Sequence, residues 1–185
     1  MTPEDVYTQL SAHLVKGLMV HDQFASYYLF LGMPGYSACH RYHFMSENIE
    51  YENLNRYYIE HFNKLIPPFK TEDPKIIPDA WHKYSRKDVD SNTKKGAVKT
   101  GMTSWVKWER DTKKLYETMS KELFDMGEIA SYIDVADMVV SVDIELAEAE
   151  AILFSKEASV YDISDIMNEQ ESYLRQYTKK LSKLF

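Results

Sequence analysis

Apolar residues recur at steps of three and four along most of the chain, which is the spacing of one face of an α-helix. In the first segment this face comprises Tyr7, Leu10, Leu14, Leu18, Ala25 and Leu29. Fourteen tyrosines and nine methionines, set against few β-branched runs, favour helices over a two-faced sheet. The pattern therefore predicts an all-α protein.

Proline residues divide the chain, because a proline inside a helix costs about 3 kcal/mol. They fall at positions 3, 34, 67, 68, 74 and 78, and none follows. The predicted helices cover about 3–31, 36–65, 102–125, 131–156 and 162–184, and a polar crossover covers 66–101. Short, long and short connections are typical of an antiparallel four-helix bundle, to which the last helix is an addition.

Composition narrows the class of protein further. A chain of 185 residues, 44% hydrophobic and 28% charged, fits one compact domain over 1–185. Its net charge of -7 disfavours nucleic acid as a partner. The single cysteine, Cys39, cannot form an internal disulfide and has no adjacent general base, so we expect a buried thiol. Without a recognisable signal peptide or membrane span, we expect a cytoplasmic protein.

Acidic residues interrupt the predicted inward face of each long helix. They are Asp22 in the first, Glu47 and Glu50 in the second, Glu109 in the third, and Glu145 and Glu148 in the fourth. Burying an unpaired carboxylate costs several kcal/mol, so the cluster needs protonation, basic partners or bound cations. Cations satisfy oxygen ligands most directly. The alternative is that each helix is misphased and that the acids lie on solvated faces, which is usual for acid-rich runs such as that of the fourth helix.

Short motifs in helix order resemble those of ferritins. The segment 22–31, DQFASYYLFL, resembles the first-helix motif in which a metal-binding Glu precedes a Leu-Tyr-Ala-Ser-Tyr-like run. The segment 46–54, SENIEYENL, is similar to the second-helix Glu-x-x-His stretch. Trp108 and Glu109, followed by Leu115, are similar to the third-helix Glu motif, and Glu148 falls near the fourth-helix acid. The resemblance implies a ferritin-like, all-α antiparallel four-helix bundle of the di-iron carboxylate type, with the long crossover between helices 2 and 3.

The same resemblance implies a set of metal ligands. Asp22, Glu47 and Glu50 would hold the first metal, and Glu109 and Glu148 the second, with Glu47 bridging; Glu145 is the other fourth-helix candidate. Asp22 stands where the family has a longer Glu, and Glu50 stands where it has His, so the implied site is all-carboxylate. Iron follows from the resemblance alone, since manganese or another divalent cation also accepts oxygen ligands.

The function implied is oxidation of Fe(II) by oxygen or peroxide, for iron storage or detoxification, in a homo-oligomer. Two alternatives remain open. One is a structural or interaction protein with a degenerate, non-redox site, and the other is a di-metal oxygenase that acts on an organic substrate. The sequence alone leaves enzymatic activity undecided.

Three histidines lie near these acids in the sequence, and two of them are further candidate ligands. His40 and His43 lie three apart on the second helix, where packing is the more common role, although His43 is also a candidate to orient Glu47. His21 points about 100° away from Asp22 on an ideal helix. We therefore expect His21 at a flank or an interface.

Overall fold

The computed structural model describes residues 1–77, 85–158 and 163–184, and over these residues it is helical without strands. Its five long helices are α1 (Pro3–Phe30), α2 (Pro34–Phe62), α3 (Ser91–Asp125), α4 (Ile129–Ala158) and α5 (Ile163–Leu181). The predicted all-α bundle with an extra C-terminal helix is confirmed. Among the described residues, none of these helices is apolar over a stretch long enough to cross a membrane.

Local sequence fixes the first hairpin. Thr2 caps α1 and forms a capping box with Asp5, and Pro3 occupies the first turn, where a missing N–H does no harm. The helix ends before Gly32, whose φ of 76° is the left-handed conformation that glycine adopts without strain. Because the connection to α2 is short, the two helices pack side by side along their length.

Helix α3 begins well before the predicted start near position 102. Asp90 caps it by accepting a hydrogen bond of 2.7 Å from the N–H of Thr93. Gly96 and Gly101 made this first part of α3 resemble a loop in the sequence. In the structure Gly101 is buried in the helix, and the Tyr28 hydroxyl lies where a Cβ of residue 101 would be. The crossover covers 63–90 instead of the predicted 66–101, and part of it, 78–84, lies outside the described residues.

The core consists of two apolar clusters, one towards each end of the bundle. The first includes Phe24, Tyr28 and Trp105, and the second includes Leu10 and Met119. Between the clusters, each of the helices α1 to α4 carries polar residues at its inward positions, and α1 also carries a glycine there. Those residues are Gly17 and His21 on α1, His40, His43, Glu47 and Glu50 on α2, Glu109 and Thr112 on α3, and Ser141 and Glu145 on α4. The bundle thus has a polar layer at mid-height.

Helix α5 packs against α2 rather than extending away from the bundle. The backbone N–H of Tyr36 donates to Gln170 Oε1 at 3.0 Å, and the lack of a side chain at Gly35 lets the Gln170 backbone approach closely. Tyr177 of α5 is fully buried. This helix therefore covers one side of the polar layer.

Candidate metal centre

Three buried side chains from different helices meet in the polar layer. His21 comes from α1, Glu47 from α2 and Glu109 from α3. The Nε2 atom of His21 lies 3.6 Å from Glu47 Oε1 and 3.7 Å from Glu109 Oε1. Glu145 of α4 joins them, since ligand atoms of His21, Glu109 and Glu145 all lie within 4.8 Å of one another. Ligands about 2.1 Å from a shared ion are separated by roughly 3 to 4 Å, so the geometry fits a metal site.

The four carboxylates of this layer enclose a cavity of about 10 Å³. Its acidic walls are Glu47, Glu50, Glu109 and Glu145, and the others are Thr112, Tyr116, Ser141 and Val142. A volume of about 10 to 15 Å³ admits a single water-sized sphere. The cavity therefore has room for one small ion and is lined mainly by oxygen donors.

A second group of ligands adjoins the first. His43 is buried, with its Nδ1 atom 3.3 Å from Glu145 Oε2 and its Nε2 atom 3.9 Å from Glu148 Oε2. The Tyr177 hydroxyl of α5 donates to Glu148, and Lys180 Nζ lies 3.9 Å from the same carboxylate. Glu145 thus lies between the two groups, with His21 on one side and His43 on the other.

Burial and mutual repulsion alter the acid–base state of the carboxylates. Desolvation, reinforced by neighbouring acids, raises the pKa of Glu47 well above its usual range, that of Glu109 to about 8 and that of Glu50 to about 7. Trp105 Nε1 donates to Glu109 at 2.7 Å, and Ser141 Oγ donates to Glu50 at 2.9 Å. Even with these donors, the carboxyl groups need protons, or a cation in their place, at neutral pH.

The buried histidines respond in opposite directions. Burial, together with the neighbouring imidazoles, holds the pKa of His21 and of His40 well below the usual range. Burial opposes a charge on His43 as well, but the adjacent Glu145 carboxylate raises the pKa of His43 well above its usual value. Neutral His21 is therefore a nitrogen donor, whereas His43 pairs with acids.

Two observations show that the residues fit a metal. Glu47 Oε2 and His21 Nε2 are buried and make no hydrogen bond within the described structure, so neither atom is satisfied by a protein partner. Gly17 supplies the second observation, because a Cβ at this position would overlap both carboxylate oxygens of Glu47. A glycine inside a helix costs about 0.5 to 1 kcal/mol relative to alanine, which here makes room for a ligand.

The structure does not bring Asp22 to this centre, which corrects the sequence-based assignment. Asp22 is exposed and accepts a hydrogen bond from Arg41 Nη1 at 2.6 Å on the bundle surface. The inward face of α1 continues from Leu14 through Gly17 to His21, rather than through Leu18 to position 22. His21, expected at a flank or an interface, is fully buried and takes the inward place.

The other sequence-derived ligands are distributed unevenly. Glu47, Glu109 and Glu145 converge with His21, and Glu50 lines the same cavity. Glu148 lies at the margin, beside His43 and Tyr177. Gly17 and Tyr177 were not predicted as part of the centre, because glycine has no side chain that an apolar pattern could reveal and because Tyr177 lies on a helix with no predicted role. Cys39 is a free, buried thiol, as expected.

Comparison with solved structures supports the fold. The structure is similar to a humanized archaeal ferritin, with a TM-score of 0.74 and 12% identity over 94% of this chain and 97% of the other. It is also similar to an open pore ferritin from the archaeon Archaeoglobus fulgidus, with a TM-score of 0.72 and 13% identity over 93% and 94% of the two chains. No family model matches the sequence, and no curated protein matches it.

Proposed function

The chain has a ferritin-like fold with a carboxylate and histidine group at mid-bundle, and we propose from this that it binds Fe(II) there and oxidises it for iron storage or detoxification. The observation that carries the proposal is the convergence of His21, Glu47, Glu109 and Glu145 from four helices around a small buried cavity. Oxygen donors with a single nitrogen donor suit iron.

Two adjacent iron positions follow from the arrangement of ligands. His21, Glu47 and Glu109 would hold one, and His43 and Glu148 would hold the other, with Glu145 placed between the two groups. This differs from the set implied by family resemblance, in which Asp22 was a ligand and Glu47 bridged. His43 must give up its proton to bind through nitrogen, and the raised carboxyl pKa values mean that protons leave as iron enters.

The proposed reaction consumes one oxygen molecule for each pair of ferrous ions. Each Fe(II) gives up one electron, and O₂ takes both electrons and two protons to become hydrogen peroxide. Ionised carboxylates favour Fe(III) over Fe(II), because hard anionic oxygens interact best with the higher charge. The chain's own contribution is therefore to hold the two ions together and to stabilise the oxidised product.

The geometry favours this reaction over the two alternatives. An oxygenase needs space for an organic substrate beside the metals, whereas a pocket that adjoins the layer, bordered by Glu50 and Asp137, measures about 150 Å³. Typical ligand pockets measure about 300 to 1,000 Å³. A purely structural protein gains nothing from several buried acids whose ionisation destabilises the fold. Small reactants such as ferrous ions and oxygen match the available space.

Anaerobic titration with Fe(II), followed by admission of oxygen, tests the proposal. We expect saturation near two irons per chain and oxygen consumption in proportion to bound iron. His21→Ala and Glu47→Ala should abolish both, whereas Asp22→Ala, a surface control that removes one acid, should leave both unchanged. Absence of saturable binding in the unaltered protein, or equal loss in the Asp22 variant, would contradict the assignment.

Self-association and a cytoplasmic location remain predictions for this chain. Light scattering on the purified protein tests the first of these directly. A monomer at all concentrations would contradict the expectation of a homo-oligomer, without bearing on the metal centre.

A further inference from the structure

A contact between two imidazoles links the metal centre to the apolar core. His21 Nδ1 lies 3.1 Å from His40 Nδ1, and both rings are fully buried. At this distance a single hydrogen joins the two nitrogens, so one ring donates and the other accepts. The direction of this hydrogen bond determines which His21 nitrogen keeps a lone pair.

The surroundings of the two outer nitrogens distinguish the directions. His40 Nε2 makes no hydrogen bond, the ring stacks on Phe24 and Tyr28, and it meets Trp105 at an interplanar angle of 68° with ring centroids 4.7 Å apart. Stacked rings offer no acceptor in the plane of the imidazole, so the contact with His21 is the hydrogen bond that His40 makes within the described structure. A neutral His40 that carries its hydrogen on Nε2 accepts this hydrogen bond through Nδ1.

The His21 side agrees with this direction. If His21 carried its hydrogen on Nε2, that N–H would need an acceptor, but the nearest carboxylate oxygens lie 3.6 and 3.7 Å away and accept no hydrogen bond from it. With the hydrogen on Nδ1, the Nε2 lone pair faces Glu47 and Glu109 instead. That is the form in which imidazole binds a metal.

We propose that His40 is a positioning residue: it accepts the Nδ1 hydrogen of His21 and thereby fixes a nitrogen donor in an otherwise carboxylate-dominated centre. This inference rests on the proposed function only in taking the centre to bind metal. His40 itself lies outside the ligand set, and its role is to hold the orientation and the tautomer of His21.

Metal selectivity follows from a fixed nitrogen donor. Imidazole suits iron and zinc, whereas carboxylates alone suit manganese, magnesium and calcium. A centre in which His21 Nε2 is always available therefore favours Fe(II) over Mn(II) more strongly than an all-carboxylate centre would. Loss of a residue that orients a metal ligand typically weakens metal binding about 10- to 100-fold.

Two substitutions at position 40 separate hydrogen bonding from packing. His40→Phe fills the aromatic surroundings but cannot accept a hydrogen bond, whereas His40→Asn places an amide oxygen at the position of Nδ1. Under anaerobic conditions we expect His40→Phe to weaken Fe(II) binding 10- to 100-fold and Mn(II) binding by less than about threefold. His40→Asn should retain Fe(II) affinity within about threefold of the unaltered protein. Equal weakening of both metals by His40→Phe, or no weakening, would overturn the proposal.

Nitrogen NMR of the metal-free, unaltered protein tests the same proposal without relying on any variant to fold. Chemical shifts and long-range couplings of the His21 ring should show hydrogen on Nδ1 and none on Nε2, and His40 should show the reverse. Hydrogen on His21 Nε2 would overturn the proposal. If the protein binds no iron while His21 shows the expected tautomer, the proposed function fails, whereas the hydrogen bond by which His40 sets the tautomer of His21 stands.

Discussion

The buried carboxyl of Glu109 makes the stability of the metal-free protein depend on pH in a direction opposite to that of ordinary acidic residues. We consider Glu109→Gln, which keeps an oxygen to accept the 2.7 Å hydrogen bond from Trp105 Nε1 but removes the ionisable group. The folded protein raises the pKa of Glu109 from 4.5 to about 8, chiefly by desolvation. The folded state therefore binds this proton more tightly than the unfolded state does.

The sign and the size of the effect follow by linkage. A raised carboxyl pKa contributes its stability fully below the unfolded pKa and loses it as the pH rises through the folded pKa. The difference between the folded and the unfolded pKa of Glu109 corresponds to about 5 kcal/mol of stability. About 3 kcal/mol of this contribution is lost between pH 6 and pH 9. Relaxation of the site lowers the observed value. We therefore expect the free energy of unfolding of Glu109→Gln to exceed that of the unaltered protein by about 2 kcal/mol more at pH 9 than at pH 5.

Urea denaturation in the presence of a chelator, repeated from pH 5 to pH 9, measures this effect. The free energy of unfolding of the unaltered protein should fall as the pH rises, and the fall should be smaller in Glu109→Gln. Glu117→Gln, an exposed substitution on the same helix, serves as the control and should follow the unaltered protein. A stability that is flat or rising over this range, or a Glu109 variant that parallels the control, would show that the folded protein does not raise the pKa of Glu109.

Other predictions follow from the same centre. Gly17→Ala should displace Glu47 and weaken iron binding at least tenfold, although alanine has the better helix propensity. Gly96 lies on α3 with open space around it, so Gly96→Ala should raise the free energy of unfolding, measured by urea denaturation, by about 0.5 to 1 kcal/mol. Iron binding near pH 7 should release protons, because carboxyl groups with raised pKa values must ionise; calorimetry in buffers of different ionisation enthalpy would detect this, and a buffer-independent heat would count against it. Bound metal should also cancel much of the loss of stability at high pH, so equal pH profiles with and without Fe(II), measured anaerobically, would be inconsistent with the site.

Much of the centre was predictable because helical periodicity is strong where acids replace apolar residues. On α2 the inward track through His43, Glu47, Glu50 and Leu54 is the one observed, and on α3 Glu109 follows Trp105 on the buried face. In both cases large buried residues further along the same face, Leu54 and Tyr58 on α2 and Trp105 and Tyr116 on α3, fix the phase of the helix. The bundle and its helix order followed from the same periodicity and from the prolines.

The error on α1 has a specific physical origin. After Leu14 the buried face takes a step of three to Gly17, whereas Leu18 offers a step of four and a more apolar side chain. Glycine adds nothing to an apolar pattern, even where it makes room for a side chain of another helix. The predicted inward face of α1 was therefore shifted by one residue, which placed Asp22 inside instead of His21. Contacts between helices, such as that of Gly17 with Glu47, are not encoded in the periodicity of either helix alone.

The proposed iron site is one buried layer of this bundle, between His21, Glu47, Glu109 and Glu145. Crystals grown and loaded with Fe(II) without oxygen, and measured on both sides of the iron absorption edge, locate the metal and identify the element together. We expect anomalous peaks within bonding distance of His21 Nε2 and the three carboxylates. Iron found only at surface acids such as Asp22, with the buried layer empty at saturating Fe(II), would contradict the account.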